Sequence, residues 1–244
     1  MSARANPGPV PIGKRIDALA WDGHADALDR DGNTIIRGLL DAGECAALAE
    51  CYPDDTAFRK TVVMARHNFG RGEYRYFSYP LPAIIAGLRE ALYRHLAPIA
   101  NRWQAALREA RRYPATYPEF AAHCHAAGQT RPTPLLLRYT SGDYNCLHQD
   151  LYGDFVFPLQ VAILLSRPGS DFTGGEFVLT EQRPRMQSRA EVVDLNRGDA
   201  VIFPVHVRPC VGTRGYYRVN MRHGVSRIRS GNRLTAGIIF HDAA

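Results

Sequence analysis

From residue 134 onward the chain is written in short apolar runs punctuated by Gly, Pro and Asn, the pattern of strands joined by turns. Residues 134–139, 159–165, 176–180, 191–195, 200–203, 216–225 and 233–240 read as strands. Before residue 134 the period changes. Ile84, Leu88, Leu92, Leu96, Ile99, Trp103 and Leu107 recur at helical spacing, which predicts two helices over residues 82–112, interrupted near Pro98. Residues 15–52 read as helix, a short strand at 34–36, and a second helix begun by Asp41 as N-cap. Many antiparallel strands behind helices imply a mainly β, α+β fold. Its core is a double-stranded β-helix, a jelly-roll sandwich with a site at its mouth. The expected organisation is a disordered tail over 1–14 and one domain over 15–244, with a helical and lid part (15–133) and the jelly-roll core (134–244).

Composition narrows the reading only slightly. A chain of 244 residues, 45% hydrophobic, can bury a full core. No apolar run reaches the eighteen or so residues of a membrane span. Cys45, Cys51, Cys124, Cys146 and Cys210 are scattered, without zinc-type spacing, and read as reduced thiols of a cytoplasmic protein. The net charge of +6 is carried almost wholly by arginine, since only Lys14 and Lys60 are lysine. A GC-rich coding sequence also produces that bias, so the total charge permits a phosphate-bearing partner without identifying one.

Candidate chemistry concentrates in the segment Arg138-Tyr139-Thr140-Ser141-Gly142-Asp143-Tyr144-Asn145-Cys146-Leu147-His148-Gln149-Asp150. His148 and Asp150 lie two apart in an extended stretch, where alternate residues share a face, so Tyr144, Cys146, His148 and Asp150 are expected to point inward together. A second histidine, His223, follows about seventy-five residues later. This is the sequence form of the 2-His-1-carboxylate triad, which holds non-heme Fe(II) on one face and leaves other positions open. His24-Ala25-Asp26 has the same spacing but reads as a helical turn, where side chains two apart diverge. His206 is the reserve for the third ligand. Ten residues beyond His223, Arg233 opens an apolar strand with Thr235 on the same face. A buried guanidinium there calls for a carboxylate, which its planar fork matches.

Tyr139, Gly142, His148, Asp150, Gly174-Gly175-Glu176, Gly198-Asp199, His223, Gly231 and Arg233 together resemble the Fe(II)/2-oxoglutarate dioxygenase superfamily over about the last hundred and ten residues. Arg138-Tyr139 through Gly142 and Leu147-His148-Gln149-Asp150 are similar to the AlkB nucleic-acid demethylases. The step from His223 to Arg233 is more like the prolyl 4-hydroxylases. The chain as a whole looks closest to a bacterial family of oxygenases acting on damaged nucleic acid. The resemblance implies iron at His148, Asp150 and His223. It also implies 2-oxoglutarate on Arg233, assisted by Tyr139 and Thr235, and O2 as the second co-substrate. Leu137 and Ile239 stand where AlkB has an Asn and a second Arg, which separates this chain from AlkB proper. Asn145, Gln149 and Asn220 are candidates to orient the ligands.

A second segment bears on the substrate. Arg66, Arg71 and Arg75 are interleaved with His67, Phe69, Tyr74, Tyr76, Phe77 and Tyr79. Cations for phosphates beside faces for bases are the ingredients of single-strand nucleic-acid binding. Gly72-Glu73-Tyr74-Arg75-Tyr76 also looks like the AlkB substrate lid, which makes Arg71, Tyr74, Arg75 and Tyr76 candidate substrate contacts. The same stretch reads equally as a strand pair with aromatic packing. The expected function is oxidative demethylation of alkylated nucleic acid. A protein (prolyl-type) or small-molecule hydroxylase and a non-catalytic binding module on the same fold are the alternatives.

Overall fold

Alternate side chains of the strands sort into two apolar layers, one on each face of a large sheet. The computed structural model describes residues 10–244. The helical part comprises α1 (Ile12–Asp17), α2 (Trp21–Asp31), α3 (Ala42–Glu50), α4 (Ala83–Ala106) and α5 (Tyr117–Ala126). Interleaved with them are β1 (Thr34–Ile36), β2 (Phe58–Val63), β3 (Gly70–Arg71) and β4 (Glu73–Phe77). The remainder is β5 (Leu135–Thr140), β6 (Tyr144–His148), β7 (Leu159–Leu164), β8 (Phe172–Gly174), β9 (Phe177–Gln182), β10 (Arg189–Val193), β11 (Ala200–Pro204), β12 (Val207–Gly212), β13 (Gly215–Val225) and β14 (Ile228–Ile238).

Two antiparallel sheets face each other. The larger runs β1-β11-β7-β14-β5-β4-β2, with β8 paired to β14. The smaller runs β10-β9-β13-β6-β3, with β12 paired to β13. This is the jelly roll expected from the strand pattern. Leu136, Ile163, Ala236, Ile238 and Phe240 turn outward from the large sheet and pack on Ile16, Leu28, Leu48, Leu88, Leu92 and Leu96 of the helices. Tyr139, Leu164, Val201 and Phe203 turn inward against Phe177, Leu179 and Val225 of the small sheet. Each such side chain, fully buried, contributes roughly 1.5–3 kcal/mol.

Three expectations change. Residues 82–112 do not break at Pro98: α4 runs through it. Pro98 and Arg94, the residue whose carbonyl loses its donor, both lie on the exposed side, where water can serve that carbonyl. Leu88, Leu92, Leu96, Ile99 and Trp103 meanwhile keep one continuous buried stripe. The expected tail over 1–14 lies outside the described residues for positions 1–9, and Ile12, Gly13 and Lys14 are helical. The aromatic-basic segment is mostly sheet, with β4 paired between β5 and β2. The Asp41 cap is as expected, with a full capping box to Glu44.

Candidate active site

The facing sheets leave a cavity of about 230 Å³ between them. Its floor is the inward row of the large sheet. Arg233, Thr235, Gly237 and Ile239 come from and just beyond β14, with Leu135, Leu137 and Tyr139 from β5 beside them. Its roof is the small sheet, with Asn145, His148, Phe177, His223 and Val225. His148, Asp150 and His223 come together there, with one donor atom of each within 4.8 Å of the others. His148 Nε2 is 3.5 Å from Asp150 Oδ1, and His223 Nε2 is 3.2 Å from Asp150 Oδ2.

β6 reaches this arrangement by breaking its own alternation. The register of β6 on β13 passes from Asn145↔Val225 to His148↔His223, three residues against two, a β-bulge. Asn145 and His148 therefore both face the cavity, while Cys146 is exposed. The single inward face expected for Tyr144, Cys146, His148 and Asp150 does not exist, because the extra residue reverses the parity. Gly224 lies against the bulge, where a Cβ would come within 2.7 Å of the Asn145 carbonyl oxygen.

Protonation states follow from the surroundings. His148 Nδ1 lies 2.8 Å from the Cys146 carbonyl, which only accepts, so Nδ1 carries a proton; burial alone would lower the pKa of the ring, but Asp150 beside Nε2 outweighs burial and raises it. The ring of His223 packs on Phe203, with centroids 4.8 Å apart. Burial, then the neighbouring His148, lowers its pKa and favours the neutral imidazole. Burial alone would raise Asp150, but the two imidazoles outweigh it and hold the carboxyl well below its usual range. A cation binding there would displace the proton from His148 Nε2, leaving two imidazole nitrogens and one carboxylate, the donor set that Fe(II) requires.

Arg233 is 2% exposed. Its Nη1 donates to Thr235 Oγ1 at 2.6 Å, and its Nε is buried without a partner among the described residues. Burial lowers its pKa to about 10, which leaves it charged at neutral pH. Gly175 presses on its stem; a Cβ there would meet Arg233 Cδ at 3.0 Å and Ile228 Cδ1 at 2.2 Å. Tyr139, fully buried on the paired position of β5, accepts from Asn145 Nδ2 at 3.3 Å. A buried cation whose hydrogen-bond partner among the described residues is a hydroxyl, with the aromatic rings of Tyr139 and Phe172 beside it, fits a ligand carboxylate.

The other expected residues separate. Tyr74 lines the cavity wall and Phe69 its rim, 48% exposed. Arg71 is exposed on the edge strand β3. Arg75 points the opposite way, because β4 alternates: it is bound by Tyr52 O, Thr61 Oγ1 and Asp55 and cannot reach a substrate in the cavity. Tyr76 is buried between Tyr74 and Tyr152 rather than offered to a base. His24 binds Thr34 Oγ1 from α2, and His206 lies outside the three-residue cluster. Gln149 ties to the carbonyls of His206 and Met221, while Asn220 is exposed.

Two residues escaped the sequence reading. Tyr152 donates to Asp150 Oδ1 at 2.8 Å. Gln160, 3% exposed on the cavity side of β7, has no partner for its Nε2 among the described residues. A polar residue inside the apolar run 159–165 was the available signal for Gln160.

Comparison with known proteins accords with this geometry. The model of the family Oxygenase-NA, described as an oxygenase catalysing oxidative methylation of damaged DNA, matches residues 72–243. Uncharacterized proteins from two strains of Mycobacterium tuberculosis are each 51% identical over 168 residues, 69% of this chain and 72% of theirs. Among solved structures, a prolyl-4-hydroxylase of Pseudomonas putida aligns with a TM-score of 0.55 at 15% identity, covering 92% of this chain and 99% of that one. A prolyl hydroxylase of Trichoplax adhaerens, in complex with a hypoxia inducible factor oxygen degradation domain peptide fragment, aligns at 0.58 and 14% identity, covering 94% and 91%. At such identities the likeness is one of fold. The chain belongs to the Oxygenase-NA family of oxygenases, and its His148-Asp150-His223 cluster and buried Arg233 fit Fe(II) and 2-oxoglutarate.

Proposed function

We propose that the enzyme removes methyl groups oxidatively from bases of single-stranded nucleic acid, with iron held by His148, Asp150 and His223 and 2-oxoglutarate gripped by Arg233, Thr235 and Tyr139. The observation that carries the substrate reading is the Gln160 amide. It is buried at the end of the cavity floor away from Arg233, one strand from Phe203, whose ring packs on His223. A primary amide offers a donor and an acceptor side by side, the complement of a base edge such as that of adenine. Tyr74 in the wall and Phe69 at the rim add aromatic faces on which a base can stack.

When bound, iron with 2-oxoglutarate and O2 supplies oxidation of an unactivated C–H bond, releasing succinate and CO2. The residues around it position and shield. Arg233 and Thr235 fix one end of the co-substrate, and Phe177, Phe203 and Val225 keep water from the reacting carbon. Hydroxylation of an N-methyl carbon gives a hydroxymethyl amine, which releases formaldehyde and leaves N–H. The net change is demethylation.

The test supplies Fe(II) and 2-oxoglutarate with methylated single-stranded DNA and, separately, proline-containing peptides. Formaldehyde in step with succinate, from the DNA alone, is the expected result. Hydroxylated peptide without formaldehyde would replace this reading by the prolyl-type one, which the exposed Leu151 at the cavity mouth also suits. Gln160→Leu should lower demethylation about ten- to a hundredfold, as one paired base contact is worth roughly 1–3 kcal/mol. With Arg75 occupied, Arg66 and Arg71 remain exposed in this segment, so binding of single strands should follow a log–log salt slope near −1.4, at about −0.7 per phosphate.

A further inference from the structure

Asp150 carries the one negative charge of the proposed iron site, and its two oxygens are not equivalent. Oδ2 faces His223 Nε2 at 3.2 Å. Oδ1 lies farther from its histidine, 3.5 Å from His148 Nε2, and alone accepts the Tyr152 hydroxyl, at 2.8 Å. The Tyr152 ring is fixed independently of that bond. It stands edge-on to Tyr76, centroids 6.4 Å apart, and tilted against His241 at 6.1 Å. Its backbone carbonyl accepts from Gln129 Nε2 at 3.2 Å, and Gln129 is itself 1% exposed. The phenol is thus delivered to Oδ1 by packing that would persist without its oxygen.

A carboxylate with two free oxygens can bind a divalent cation through both. A facial triad leaves three positions, and this chemistry uses all three: two for the keto acid and one for O2. A carboxylate that chelated would occupy one of them. We propose that Tyr152 is a positioning residue: by holding Oδ1, it confines Asp150 to ligation through Oδ2 and keeps the remaining positions available to the co-substrates. The hydroxyl donates to an anionic oxygen, which is the stronger class of hydrogen bond, and so competes effectively with the cation for that oxygen's lone pairs. The inference concerns the co-substrate side of the site and holds whatever the substrate is.

The test is Tyr152→Phe, which keeps the ring and removes the donor. Both proteins are loaded with Mn(II), which binds without supporting turnover. 2-Oxoglutarate affinity is measured by titration calorimetry and Asp150 ligation by crystallography. The expected result is a loss of 2-oxoglutarate affinity of about tenfold or more, on the scale that removing a partner of a metal ligand has for metal affinity or activity. Both Asp150 oxygens should then lie within bonding distance of the metal, and the metal-free variant should melt where the unaltered protein does. Unchanged 2-oxoglutarate affinity with single-oxygen ligation would overturn the proposal and leave Tyr152 a packing residue. So would a lowered melting temperature accompanied by loss of metal, because that pattern reports a loosened site.

Discussion

Alanine at His148, Asp150 or His223 should abolish Fe(II)-dependent consumption of 2-oxoglutarate. The three donors lie within 4.8 Å of one another, and no other group of three His, Cys, Asp or Glu among the described residues does so. Loss of a partner that only orients a ligand costs 10- to 100-fold (roughly), so loss of a ligand itself should exceed about a hundredfold. Succinate release and metal binding by calorimetry should both be lost, with the fold retained by circular dichroism. His24→Ala is the control: it removes a contact to Thr34 on the far side of the large sheet and should leave both intact. Full turnover in His223→Ala would sink the assignment, and His206 would then be the next candidate.

Arg233→Leu should raise the 2-oxoglutarate dissociation constant at least ten- to a hundredfold, since hydrogen bonds to charged groups are worth roughly 1.5–3 kcal/mol each. Metal binding should be spared. Stability supplies a second readout with an opposite sign. In the protein without 2-oxoglutarate, Arg233 is a buried cation whose partner is a hydroxyl, so replacing it by an apolar side chain removes a desolvation cost. The variant alone should therefore melt no lower than the unaltered protein. Added 2-oxoglutarate should raise the melting temperature of the unaltered protein and not that of the variant. Arg233→Lys should recover little, because a point charge cannot reproduce the two parallel bonds of the guanidinium. Unaltered affinity in Arg233→Leu would move the anchor to another cation.

The sandwich was legible because its inward and outward residues alternate cleanly. Leu135, Leu137 and Tyr139 face the cavity, while Leu136 packs under the helices. His148, Asp150, His223 and Arg233 could be read from spacing because each sits at or near the end of a recognisable run. What stayed hidden depends on contacts between segments distant in sequence. The parity of β6 is reversed by a bulge that shows only in its pairing with β13. Pro98 reads as a helix breaker until its exposed position on α4 is known. Arg75 and Tyr76 read as one basic-aromatic patch, but strand alternation sends them to opposite faces, Arg75 to Asp55 and Tyr76 to Tyr152. Tyr152 lies in an irregular stretch after the last regular residue of β6, where no periodicity points to a direction.

The bulge between Asn145 and His148 leaves the site indifferent to side-chain identity at the two residues it spans and strict at the position that faces it. Cys146 and Leu147 are exposed and serve chiefly as spacers, so most substitutions there should be silent. Deleting either one would leave two residues against two, a regular pairing in which Asn145 and the imidazole of His148 still share the cavity face. Gly224 is the complementary constraint, because a side chain there would press on the Asn145 carbonyl from across the ladder. Among descendants of this sequence, any side chain at 224 should therefore mark lineages that have lost the chemistry, even where His148, Asp150 and His223 persist.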